Sequence, residues 1–299
     1  MPVVLWMTGT LASFCLMAVG VRELSGQVAV FQMLLFRSVI GLLCISAILC
    51  FSRQYISIKT QRFALHGFRN AVHFAGQYGW FLGIGLLPLA EVFALEFTVP
   101  IWTLLAAAVA LKEKITFRKM IAICLGLAGV LVVVQPGYAI VDPVSFVVLG
   151  AAFCYAISHT CTKSLSTSEP AISILFYMCL IQLPLGLALS VPDWNWPSGI
   201  QWLWLSVVGL TALSANYCMA KAMLFAEVTT VVTIDFLRLP LIALVGVFIY
   251  QEQFEMSLMV GGVLMLTGNY ICLKKPAKRS PSAESDKVGQ VCASGEGNQ

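Results

Sequence analysis

The chain has 299 residues, of which 59% are hydrophobic and only 11% charged, with a mean hydropathy of +0.89. A soluble globular protein carries roughly 25% charged residues, so this composition excludes one and predicts an all-α integral membrane protein. The ten cysteines form no C-x-x-C pair, and most lie within apolar runs (Cys15, Cys44, Cys124, Cys154, Cys179, Cys218), so they read as small packing residues rather than as disulfide partners or metal ligands.

In chain order, apolar runs predict spans near 2–20, 28–51, 63–86, 88–111, 117–134, 143–162, 170–190, 200–219, 226–250 and 256–273. That is about ten spans of roughly 20 residues, each long enough to cross a bilayer. The first lacks a basic leader and reads as a retained helix. Residues 276–299 are polar and poor in bulky apolar side chains, which predicts a disordered tail. Fourteen of the 18 Lys and Arg, including the Lys112–Lys119 cluster, fall in alternate loops and the tail. Arg22 alone faces the other side, so both termini are expected in the cytoplasm. The net charge of +4 then reflects topology, with no need for a nucleic-acid partner. Trp194, Trp196, Trp202 and Trp204 crowd the opposite face as an interfacial aromatic belt or a ligand vestibule.

The third span contains "HGFRNAVHFAGQYGW". On a helix, His66, Arg69, Asn70, His73, Gln77 and Trp80 share one stripe, and Gly76, Gly79 and Gly83 occupy the adjoining flank. The glycines would let another helix approach closely. The polar stripe needs something other than lipid in front of it, a cavity or a partner helix, although His66 and Arg69 are close enough to the boundary to be interfacial.

The sequence repeats at an offset of 139: Phe14-Cys15 onto Phe153-Cys154, Glu96-Phe97 onto Asp235-Phe236, Glu113 onto Glu252, and Gly129 onto Gly268. Two five-span units follow, 1–137 and 138–275. Because five is odd, the second would enter the membrane from the opposite side, giving two inverted five-helix repeats. Such halves can exchange conformations, which is the geometry of a carrier.

An ionisable side chain deep in a span costs at least about 2.5–3.5 kcal/mol on insertion scales and tends to be paired or to line a cavity. The repeat sets Glu96 and Asp235 at equivalent positions, either as a central site or, for Asp235, as a structural pair with Arg238 at i,i+3. Pro100 and Pro240 follow these acids, as hinges exposing polar backbone or as simple kinks. Arg37 needs a partner, for which Glu96, Glu91 or a substrate could serve. Glu91 and Glu227, in matching "AEV" triplets, are expected to cap helix starts. Glu113 and Glu252 read as solvated loop charges, and His159 as interfacial. Tyr155, Asn216 and Tyr217 could complete a cavity wall from the second half or simply pack. The substrate-binding candidates are Glu96, Asp235, His73, Gln77, Trp80, Arg37, Tyr155 and Asn216, with no catalytic residue, metal or cofactor. A proton loading a carboxylate or His73 would couple transport to the membrane gradient; facilitated diffusion would use the same cavity.

The stretch "PLAEVFALEFTVPIWTLLAAAVALKEKIT", ending in "GLAGVLVVV" and echoed by "AEVTTVVTIDFLRLPLIALVGVFIYQE", resembles the EamA branch of the drug/metabolite transporter superfamily. The resemblance covers residues 1–275. It implies a bacterial inner-membrane secondary carrier of a small molecule, opening alternately to each side. "RNAVHFAGQYGWFLGIGLLPLAEVFALEFTVPIWT" is similar to a subgroup containing riboflavin transporters; neighbouring subgroups export amino acids and other metabolites. Trp80, Trp102, Tyr155 or Phe97 would offer flat surfaces to an isoalloxazine ring, and Gln77, His73, Glu96 and Asn216 would serve its polar groups. A membrane-embedded enzyme is the rival from another class, but neither G-x-S-x-G nor H-E-x-x-H occurs.

Overall fold

The computed structural model describes residues 2–52, 58–96, 98–134, 142–251 and 256–273. The tail expected at 276–299, Phe97 and Glu252 lie outside the described residues. The described chain is helical throughout: α1 (Pro2–Leu24), α2 (Val30–Ser52), α3 (Phe63–Leu86), α4 (Leu89–Glu96), α5 (Val99–Ala110), α6 (Phe117–Val134), α7 (Pro143–Ser166), α8 (Ala171–Ser190), α9 (Gln201–Phe225), α10 (Val228–Ile234), α11 (Arg238–Tyr250) and α12 (Met256–Leu273). Among the described residues, α1, α2, α7, α8 and α9 are each long and apolar enough to cross a membrane. Large apolar side chains such as Phe51, Val109 and Phe248 stand 80% exposed or more, a surface that suits lipid contact and not water.

Two predicted spans are broken. Residues 88–111 form α4 and α5, and residues 226–250 form α10 and α11 with a 3-10 turn, Asp235–Leu237, between them. Proline is the cause. Pro100 sits in the first turn of α5, where its missing N–H is harmless, and its ring excludes the carbonyl of the residue four before it, Glu96. Pro240 occupies the first turn of α11 in the same way. Of the two readings left open for these prolines, the structure gives the broken helix.

The most extensive helix pairs are α1 with α9, α6 with α12, α3 with α7 and α2 with α8, followed by α2 with α9 and α5 with α7; α4 with α11 and α5 with α10 pack over smaller areas. Each joins an element before residue 135 to one after residue 142. The α3 glycine flank meets α7, as its composition predicts: a Cβ on Gly79 would lie 3.0 Å from the Val147 carbonyl oxygen, and one on Gly83 would lie 2.5 Å from Val148 Cγ2. A Cβ on Gly67, one helix face away, would meet nothing. Gly79→Leu is therefore expected to force α3 and α7 apart and cost about 1–3 kcal/mol by overpacking, while Gly67→Leu melts like wild type. Thermal unfolding of the detergent-solubilised proteins checks this; equal melting temperatures would remove the close contact.

Two local features recur at the 139-residue offset, and a third does so in its acceptors, with its donors 141 residues apart. The αL residues that end α5 and α11 are Lys112 (φ 54°) and Gln251 (φ 53°). The breaks fall at Glu96 and Asp235. Arg22 Nη1 donates to the carbonyls of Ile84 (2.7 Å) and Leu87 (2.9 Å), at the junction of α3 and α4. Lys163 Nζ donates to those of Met223 and Ala226, at the junction of α9 and α10. Orphan carbonyls at helix ends attract cations, and here both receive one from the first helix of their own segment. Because α3 and α7 run antiparallel, these two caps lie at opposite ends of the molecule.

Candidate functional site

The broken helices meet α1, α2, α3, α7 and α9 around a narrow central cavity. Its cavity volume is only about 20 Å³, room for little more than a water molecule. All eight sequence candidates line it: Arg37 from α2, His73, Gln77 and Trp80 from α3, Glu96 from α4, Tyr155 from α7, Asn216 from α9, and Asp235 from the 3-10 turn. Phe14, Met17, Phe81, His159, Met219 and Arg238 complete the wall.

The strongest electrostatic feature is a triad. Arg238 Nη2 reaches Glu96 Oε1 at 2.7 Å and Asp235 Oδ2 at 2.9 Å. Its guanidinium carbon lies 4.6 Å from the Phe14 ring centre and 5.0 Å from that of Phe93, so aromatic faces help replace lost hydration. Trp80 Nε1 donates to Glu96 Oε2 at 2.7 Å. Asp235 thus has the i,i+3 partner considered from sequence and also faces the cavity.

Arg37 departs from expectation. Glu96 is committed to Arg238 and Trp80, and Glu91 accepts from Ser145 Oγ at 2.9 Å. Arg37 instead donates to Gln182 Oε1 on α8 at 2.7 Å and has no carboxylate partner among the described residues. With its oxygen held by Arg37, Gln182 turns its amide nitrogen to His73 Nδ1 (3.2 Å) and to the Asn70 carbonyl (3.2 Å). Gln77 Nε2 lies 3.2 Å from the same Nδ1. Two amide donors make Nδ1 an acceptor and leave the His73 proton on Nε2. Two buried oxygens, Gln77 Oε1 and Asp235 Oδ1, have no hydrogen-bond partner among the described residues. Gln182 was absent from the sequence candidates; its signal was a lone amide in the apolar run "YMCLIQLPLG".

Several other expectations need correction. His159 is not interfacial: α7 continues to Ser166, two turns past it, so it sits at cavity depth beside Tyr155. Trp102 is 39% exposed and packs on Phe153 away from the cavity. Tyr217 packs on Trp6 and does not line the wall. His66 and Arg69 stand apart from these corrections, in the first two turns of α3: His66 is buried and bonded through Nε2 to the loop residue Glu169 at 2.7 Å, and Arg69 is held by Thr162 and Asn70 behind the wall. Glu113 is no solvated charge. It accepts from Val228 N at 3.0 Å and Thr229 Oγ1 at 2.9 Å, capping α10 from another loop. That leaves Glu227 without a capping bond of its own, paired instead with Lys119.

The comparisons agree with this architecture. A solved crystal structure superposes with a TM-score of 0.76 at 17% sequence identity, covering 91% of this chain and 96% of the other, which establishes the shared fold. A protein of Vibrio cholerae named riboflavin transporter is 29% identical over 198 residues, 65% of this chain and 66% of that protein. One of Rickettsia prowazekii named S-adenosylmethionine uptake transporter is 24% identical over 226 residues, 76% of this chain and 77% of that protein. The sequence profile of the EamA-like transporter family matches residues 1–135 and 143–273. This multi-pass membrane chain belongs to the EamA-like transporter family.

Proposed function

We propose that the protein is a bacterial inner-membrane secondary carrier that takes up a small organic metabolite by alternating access, with riboflavin as the leading substrate. The observation that carries this reading is the central cavity, walled by polar side chains from both sequence segments at the point where α4/α5 and α10/α11 are broken. In this reading the broken pairs count as one span each, giving ten. The two family matches, the 139-residue recurrences and the exchange-symmetric pairing (α1 with α9, α3 with α7) support two inverted five-helix halves, 1–137 and 138–275. The charge asymmetry of the loops supports both termini in the cytoplasm.

The eight candidates would act as the substrate wall, with Phe14, Trp80, Phe81 and Tyr155 offering aromatic surface. As the cavity is too narrow for a flavin, the halves must part to admit one, which is what rocking about the broken helices provides. Of the exporters weighed from sequence, one for amino acids would use the same wall in the other direction. Uptake of S-adenosylmethionine is a second reading favoured by a specific observation: its carboxylate and ammonium groups match Arg37, which lacks a carboxylate partner among the described residues, and Asp235, which has an unengaged oxygen. Enzymatic turnover fits neither the family nor the donor set.

The test is uptake of labelled riboflavin at low external concentration by a bacterial strain unable to synthesise it. Wild type is expected to give saturable uptake over empty vector; Glu96→Gln and His73→Ala, at equal membrane levels, are expected to fall to background. If wild type gives none while labelled S-adenosylmethionine enters, the second reading replaces the first.

A further inference from the structure

We propose that the central cavity contains a proton site, and that Asp235, not Glu96 or His73, is the group that carries the proton. The argument is one of charge and of donors. A single guanidinium nitrogen of Arg238 holds oxygens of both Glu96 (2.7 Å) and Asp235 (2.9 Å). The two carboxylates are therefore neighbours, no further apart than the two bonds laid end to end, and share one cation. One negative charge is left over in a buried place, where like charges at short range do not both stay ionised without a further cation. Two carboxylates sharing one proton is the general solution to this problem.

Donor supply decides which one takes it. Glu96 has a donor on each oxygen, Arg238 Nη2 on Oε1 and Trp80 Nε1 on Oε2. A proton on Glu96 would weaken both of these charge-assisted bonds. Asp235 has a donor only on Oδ2; Oδ1 is buried with no partner among the described residues. A proton there converts an unserved acceptor into a donor and removes the surplus charge while every existing bond stays. His73 is a poor rival because two amide groups already use its Nδ1 as an acceptor.

The surroundings agree. Elements packed about the 3-10 turn present the Cys15 thiol from α1, Glu96 from α4 and Arg238 from α11; α10 and α12 carry no charged residue. Across the cavity lie Arg37 from α2, His73 from α3, and Tyr155 and His159 from α7. Arg37, bonded to Gln182, and Arg69, behind the wall on Thr162 and Asn70, have no carboxylate partner among the described residues, but neither makes a bond to Asp235 or Glu96. The step itself is simple: hydronium in the cavity gives a proton to Asp235 Oδ1, an O–H bond forms, and water leaves. No electron moves. Its use in driving uptake rests on the carrier reading above; the existence of the site does not.

The experiment is an infrared pH titration of the purified full-length protein in detergent, in H₂O and D₂O, with no substrate present. A protonated-carboxyl C=O band that appears as pH falls is expected in wild type and lost in Asp235→Asn; in Glu96→Gln, where the surplus charge is gone, it is retained but appears only at lower pH. Asp235→Glu, which keeps the acid, is expected to shift the band; it decides the matter if the Asn variant fails to fold. A band lost in Glu96→Gln and kept in Asp235→Asn, or absent at every pH where the protein stays folded, overturns the proposal. So does suppression of the band by sodium chloride but not choline chloride, which would make this a sodium site. Should the band behave as expected while riboflavin uptake is absent, the substrate falls and the proton site stands.

Discussion

Arg238→Met is expected to be the most damaging single substitution in the membrane core. It removes the shared cation from between Glu96 and Asp235, leaving two carboxylates side by side with only the Trp80 donor between them. Breaking a buried ion pair from one side costs about 3–5 kcal/mol, because the stranded charge keeps its desolvation penalty. The variant should express poorly or melt far below wild type in detergent. The control is the triple variant Arg238→Met, Glu96→Gln, Asp235→Asn, in which nothing charged remains. Removing all members of a buried ionic cluster is often nearly neutral, so melting should recover most of the way to wild type. Riboflavin uptake should stay at background in both, since the triple variant keeps the packing and lacks the charges. A single variant that melts like wild type would mean the triad contributes nothing to stability. A triple variant that still transports would remove Glu96 and Asp235 from the substrate wall.

The same physics explains which parts of the site were readable in the sequence. Polar side chains are costly in a span, so each one announces itself, and His73, Gln77, Glu96 and Asp235 stood out against apolar neighbours that offered no other reason for them. The breaks were readable because proline has one effect on a helix interior, although kink and rupture differ only by context. What failed depended on boundaries and on distant partners. Hydropathy ends the sixth span near residue 162 and so puts His159 at the interface; helix α7 runs to Ser166, which carries the histidine one turn deeper. Glu113 looked like a loop charge, and no local signal shows that its loop folds back on the first turn of α10, where unpaired N–H groups favour a carboxylate. Glu169, which meets His66, belongs to the same class: a loop acid whose partner is 103 residues away. Pairings of that kind are products of packing, and sequence spacing holds no record of them.

Arg37→Gln should behave in the opposite sense to Arg238→Met, and this contrast separates recognition from scaffolding. Arg37 is 3% exposed, and among the described residues its charge is answered by an amide oxygen and not by a carboxylate. An ionised group held this way is paid for in desolvation without an ion pair to offset it. A glutamine at 37 is neutral and can still donate to Gln182. Melting is therefore expected to be unchanged or raised, whereas Arg238→Met lowers it. Transport should suffer if the cavity uses Arg37 to hold an acceptor on its solute. A hydrogen bond to a charged group is worth about 1.5–3 kcal/mol, so KM should rise roughly tenfold or more, with the membrane level of the protein unchanged. Arg37→Lys keeps the charge but loses the forked donor geometry, and should fall between the two for a carboxylate-bearing solute such as S-adenosylmethionine. For a neutral solute such as riboflavin, Lys and Gln should be equally impaired, so the ordering of three uptake curves reports whether the cavity recognises charge. If Arg37→Gln melts as low as Arg238→Met, Arg37 is structural, and the unbalanced cation facing the cavity has no role in selecting what passes through it.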